Sequence, residues 1–134
     1  MIHRVLYLGR WIVDFLFAEK EYDIEEVLSM LYEMEASYDV LTMCKELMQD
    51  GGDNTGFTYT DQELFNALAV IGPTSSGAEY IDTLVHEIHH LAVAIASNLN
   101  IDLEGETPAY LAGDAARELA DVVCRMGCSC CHDK

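Results

Sequence analysis

The sequence predicts an α+β fold in one domain, mostly helical with a small β-sheet. Three observations carry that expectation. Apolar residues recur at three-and-four spacing through residues 24–34 and 40–48. The short runs FTYT (57–60) and NALAVIG (66–72) are β-prone, the first alternating and the second continuously apolar. A long apolar stretch with a capping signal then follows from residue 76.

In chain order, residues 1–50 read mainly as a helical N-terminal part. The opening MIHRVLYLGRWIVDFLFAEKEYD could be a buried strand or a helix; Arg10 and Asp14 break its apolar run, and no small-residue cleavage site follows. Asp23 is placed to cap a helix carrying Ile24, Val27, Leu28, Leu31 and Met34. Val40, Leu41, Cys44, Leu47 and Met48 continue that helix or form a second one. The turn formers of QDGGDNTG (49–56) end it. FTYT and NALAVIG supply strands, with the ambiguous DQELF between them. Ser76, with Glu79 three residues on, starts a helix expected to run from about Gly77 to Asn98. Pro108 fits the first turn of a further helix opening near Glu106, whose stripe of Leu111, Ala115, Leu119 and Val122 should pack on the core.

A chain of 134 residues is one domain by size, and 51% hydrophobic residues suffice for a packed core. The net charge of −17 argues against nucleic acid or anionic lipid as partners and leaves a basic peptide or protein open. No stretch approaches the roughly 18 uncharged apolar residues that span a bilayer. Five cysteines, an odd number without a secretion signal, fit reduced thiols and a cytoplasmic location.

The chemistry concentrates in DTLVHEIHHLAVAIA (82–96). On a helical wheel Ile81, Leu84, Val85, Ile88, Leu91, Ala92, Ile95 and Leu99 form one stripe, and His86 and His90 fall opposite it. Val93, Ala94 and Ala96 suggest that this second face is covered too, so the histidines should line a cleft. Residues four apart on a helix have Cβ atoms about 5–6 Å apart, which lets two imidazoles share a zinc ion at about 2.0–2.1 Å. Glu87 is turned off that axis yet close enough to act on water. His89 is expected at the rim. A zinc site needs a third ligand. The chain beyond Asn98 can return about 20 Å over six residues, which brings Glu104 and Glu106 into range. Glu106, at the rigid start of a helix, is the preferred ligand and Glu104 its rival.

These residues resemble a zincin of the gluzincin branch: His86-Glu87-Ile88-His89-His90, then Glu106-Thr107-Pro108-Ala109, preceded by ALAVIGPTSSGAEYIDTLVHEIHH. The likeness is to small phage-type and bacterial metallopeptidases and covers about residues 57–120. It implies a minimal zincin-like fold with an HExxH active-site helix. It also implies Zn²⁺ held by His86, His90 and Glu106, with Glu87 as general base in peptide-bond hydrolysis. Tyr110, one turn past Glu106, would donate to the oxyanion or simply pack. The metzincin pattern is excluded, since Val93 and Ala96 stand where it needs glycine and histidine. Thermolysin-type enzymes have aspartate where this chain has Tyr110; Asp114 could orient a histidine instead or serve the surface. FTYT could be a sheet edge that pairs with an extended peptide.

The alternative is a catalytically weak binding or regulatory module on the same scaffold, for a basic protein partner. The tail CRMGCSCCHDK places Cys124, Cys128, Cys130, Cys131 and His132 together, without the spacing of a zinc finger, and is expected to be mobile.

Overall fold

A computed structural model describes residues 1–127. The elements run β1 (Ile2–Leu8), β2 (Trp11–Phe17), α1 (Ile24–Glu33), α2 (Tyr38–Asp50), β3 (Gly56–Asp61), β4 (Asn66–Ile71), α3 (Gly77–Asn98), α4 (Glu106–Glu118) and α5 (Ala120–Gly127). The fold is α+β, as expected. Cys128, Cys130, Cys131 and His132 lie outside the described residues. Among the described residues no helix is long and apolar enough to cross a membrane.

The four strands form one mixed sheet in the order β1-β2-β4-β3. β1 and β2 are antiparallel, β2 and β4 parallel, and β3 and β4 antiparallel. Helices cover one face along β2 and β4 and the other over β4, β3 and the end of β2, while Val5, Tyr7 and Ile12 stay exposed. Trp11, Val13, Phe15 and Phe17 of β2, with Ala67, Ala69 and Ile71 of β4, pack beneath α3, α4 and α5. The alternate residues Leu16, Leu68 and Val70 pack beneath α1 and α2. Period-2 alternation therefore feeds two cores from two central strands.

The first seventeen residues depart from the expected helical N-terminal part. They form a β-hairpin whose strands join through Gly9-Arg10, with Leu8 paired to Trp11. Gly9, at φ +62°, takes the left-handed conformation that a two-residue hairpin turn needs. Trp11, Val13, Phe15 and Phe17 fill one core and Leu16 reaches the other, and that burial decides in favour of strand.

The helices begin where their caps lie. Asp23 Oδ1 accepts from the Glu26 N–H at 3.1 Å, and Ser37 Oγ from the Val40 N–H at 3.2 Å, which makes α2 a separate helix. Ser76 Oγ accepts from the Glu79 N–H at 3.2 Å and starts α3. DQELF is a hairpin turn in which Asp61 Oδ1 accepts from the N–H groups of Glu63 and Leu64. The expected stripe after Glu106 is divided between α4 and α5 at Leu119, and Ala115, Leu119 and Val122 are buried in the core.

Candidate metal centre on helix α3

The buried side of α3 comprises Tyr80, Leu84, Ile88, Leu91 and Ile95, flanked by the polar residues Thr83 and Glu87. Ile81, Val85 and Leu99, expected in the same stripe, are exposed at its margin. Thr83 and Glu87 face β3, and at Gly56 the strand comes close to the helix. A Cβ on Gly56 would stand 3.2 Å from Thr83 Cγ2, 3.3 Å from Glu87 Cγ and 2.8 Å from the Val70 carbonyl oxygen. Glycine is what this approach permits.

Glu87 is 3% exposed. Burying a carboxylate is costly unless it is hydrogen-bonded or paired. Thr58 of β3 donates from Oγ1 to Glu87 Oε2 at 2.8 Å, and Glu87 Oε1 lies 3.9 Å from His86 Nε2. Tyr22 stands behind this group, its hydroxyl 2.6 Å from Thr55 Oγ1. The ring end fills the space a side chain on Gly72 would take. Burial lifts the Tyr22 pKa; the Thr55 hydrogen bond opposes that, and the negative charge of Glu87 adds to it.

His86 and His90 approach with Nε2 atoms 3.0 Å apart and rings nearly perpendicular, at 81°. Two lone pairs at that separation repel unless one nitrogen carries a proton or both address a cation. Tetrahedral ligands at 2.0–2.1 Å from zinc lie roughly 3.3 Å from each other, so the pair fits a shared ion with little adjustment. Among the described residues His86, Glu87 and His90 form the group suited to a metal, their ligand atoms within 4.8 Å of one another. A polar cavity of about 200 Å³ opens beside them, lined by Asn54, Gly56, Asp82, Thr83, His86 and Glu87. Two neighbouring imidazoles suit a borderline-soft divalent cation, and the buried carboxylate beside them is placed to act on a water there.

Other expected site residues lie apart. Among the described residues no second layer covers the histidine flank: His86, His89 and His90 are all exposed, and the His86 side chain is 66% exposed. Neither Glu104 nor Glu106 joins the group of His86, Glu87 and His90. Glu106 does open α4, as expected, but its neighbours Gly105 and Pro108 line a groove with Val85 and His89, on the other flank of α3. The loop is long enough to return, and it brings the start of α4 to the Val85–His89 flank of α3. Tyr110 is 68% exposed on α4, outside the lining of the cavity. Asp114 pairs with Arg117 at 3.1 Å rather than with a histidine.

Sequence reasoning overlooked Thr58, Gly56, Tyr22 and Asp82. Alternation in FTYT put Thr58 opposite Phe57 and Tyr59, so a polar residue facing the α3 side was readable. Its partner was not. No protein-family model, curated protein or solved structure matches the chain.

Proposed function

We propose that the protein is a zinc-dependent peptidase whose centre uses His86 and His90 as ligands and Glu87 as base. The supporting observation is the 3.0 Å approach of the two Nε2 atoms beside a buried carboxylate held by Thr58. Zinc, when bound, supplies Lewis-acid character that acidifies water and polarises a carbonyl. His86 and His90 hold the ion. Glu87 is the general base: it takes a proton from the attacking water and returns it to the leaving amide nitrogen, so that amide and water yield acid and amine. Thr58 fixes which carboxylate oxygen is free for that transfer, since Oε2 already accepts its hydroxyl. β3, an end strand of the sheet, offers backbone groups that can align an extended peptide beside the cavity.

The test has two parts. Metal content of the purified protein should show zinc, lost in His86→Ala or His90→Ala and retained in Glu87→Gln. Amide hydrolysis should fall about 10²–10⁴-fold in Glu87→Gln. Glu106→Gln should retain its zinc, and loss of the metal there would bring the first turn of α4 into the centre. Zinc binding with no turnover of any peptide would favour the second reading, a binding module for a basic partner, which the net charge of −17 supports.

A further inference from the structure

On the α2 side of β3 lies an apolar cavity of about 250 Å³, lined by Val40, Met43, Cys44, Leu47, Phe57 and Tyr59, with Thr58 also at its wall. Thr58 thus touches both this cavity and, through its hydroxyl, Glu87. The two sites are separated by one strand.

The backbone of β3 shows how a single ligand reaches both. Gly72 N–H donates to the Thr55 carbonyl at 2.9 Å, and Gly56 is registered with Ile71. In an antiparallel ladder the residues that bond the neighbouring strand alternate with those that face away. Thr55, Phe57 and Tyr59 therefore direct their backbone groups to β4. Gly56, Thr58 and Thr60 direct theirs to the outer edge, which no strand pairs among the described residues. A peptide added at this edge runs about 4.8 Å beyond β3, beside the cavity that Gly56 and His86 share. Its side chains alternate between faces. One that lies level with Phe57 or Tyr59 enters the apolar cavity, and its neighbours turn toward the α3 side.

We infer that this α2–β3 cavity is a specificity pocket for an extended, basic peptide, taking one aliphatic or aromatic side chain next to the bond presented to Glu87. The inference rests on the peptidase reading for its substrate class. The charge of the rim fits the basic flanks: Asp61 and Glu35 lie close enough to Tyr59 to raise its pKa, second to burial, in a chain of net charge −17. Met43, 68% exposed, forms the outer lip and can be changed without opening either core.

The experiment measures binding without turnover. Full-length Glu87→Gln protein, with zinc present, is titrated into blocked, fluorescein-labelled Lys-Ala-X-Ala-Ala-Lys peptides with X as Leu, Phe, Gly or Asp, read by fluorescence anisotropy. Leu and Phe are expected to bind about tenfold more tightly than Gly, the worth of burying one such side chain. Met43→Asp in the same background should remove most of that preference, as should Val40→Trp by filling the cavity, with circular dichroism confirming the fold. Equal affinity across X, no binding, or a preference that survives both substitutions would overturn the pocket. So would a dimer, seen by light scattering, that excludes the peptides by pairing two β3 edges. Apolar preference without cleavage by the unmutated protein would leave the pocket standing and defeat the peptidase reading. Cleavage indifferent to X would do the reverse.

Discussion

Thr58 and Glu87 show how one hydroxyl can offset part of the cost of burying a carboxylate beside the proposed centre. The hydroxyl satisfies part of a carboxylate that burial has cut off from water. Thr58→Val keeps the shape and removes the donor, and should cost about 1–3 kcal/mol in denaturant unfolding, because a charged acceptor is left short of a partner. The cost should shrink in a Glu87→Gln background, where the acceptor is neutral. Equal penalties in the two backgrounds would mean that Thr58 acts through packing alone. Gly72 makes a second residue-scale case. A methyl group there would collide with the Tyr22 hydroxyl, so Gly72→Ala should displace the ring and shift the Tyr22 absorbance titration back toward the ordinary tyrosine value.

At the scale of elements, local signals were legible and long-range ones were not. Asp23, Ser37 and Ser76 each accept from the N–H three residues on, and a cap of that kind is written within a four-residue window. Ser76→Ala should therefore cost about 1 kcal/mol, measured as a fall in the unfolding midpoint with the histidine pair left in place. The β1–β2 hairpin is hard to read from sequence because Phe15, Leu16 and Phe17 of β2 are buried in succession, on both faces. A strand of that kind reads as a continuous apolar run and loses the alternation that distinguishes it from a helix. The centre divides in the same way. His86, Glu87 and His90 belong to one helical turn, so their grouping follows from 3.6-residue geometry. The choice of Glu106 rested on chain reach, which limits distance but leaves open which flank of α3 the next helix packs against. The contact of Thr58 with Glu87 spans 29 residues and two elements, and depends on the sheet being assembled.

Across the whole molecule, charge and buried tyrosines set the response to solution conditions. A net charge of −17 on a chain this small is self-repulsive. Raising the salt concentration from about 0.05 to 0.5 M shortens the screening length and should raise the melting temperature; a fall would show that specific ion pairs outweigh the repulsion. Burial raises the pKa of Tyr80 on one side of the sheet and of Tyr22 on the other. Both are favoured in the neutral form when folded. Their contribution to stability is complete below the unfolded tyrosine value of about 10 and is lost as pH rises through the higher folded values. Melting temperature should therefore drop above about pH 10, in step with tyrosinate absorbance.

The placement of β4 also governs the order in which the protein can be assembled. The strand made last sits in the middle, with Ile12 aligned to Asn66 on one side and Thr58 to Ala69 on the other. Until residue 71 has been synthesised, the N-terminal hairpin and β3 have nothing to hold them side by side. A polypeptide ending at residue 61 should stay largely unfolded in isolation, despite containing three of the four strands. Nascent chains should gain protease resistance late and abruptly as they leave the ribosome.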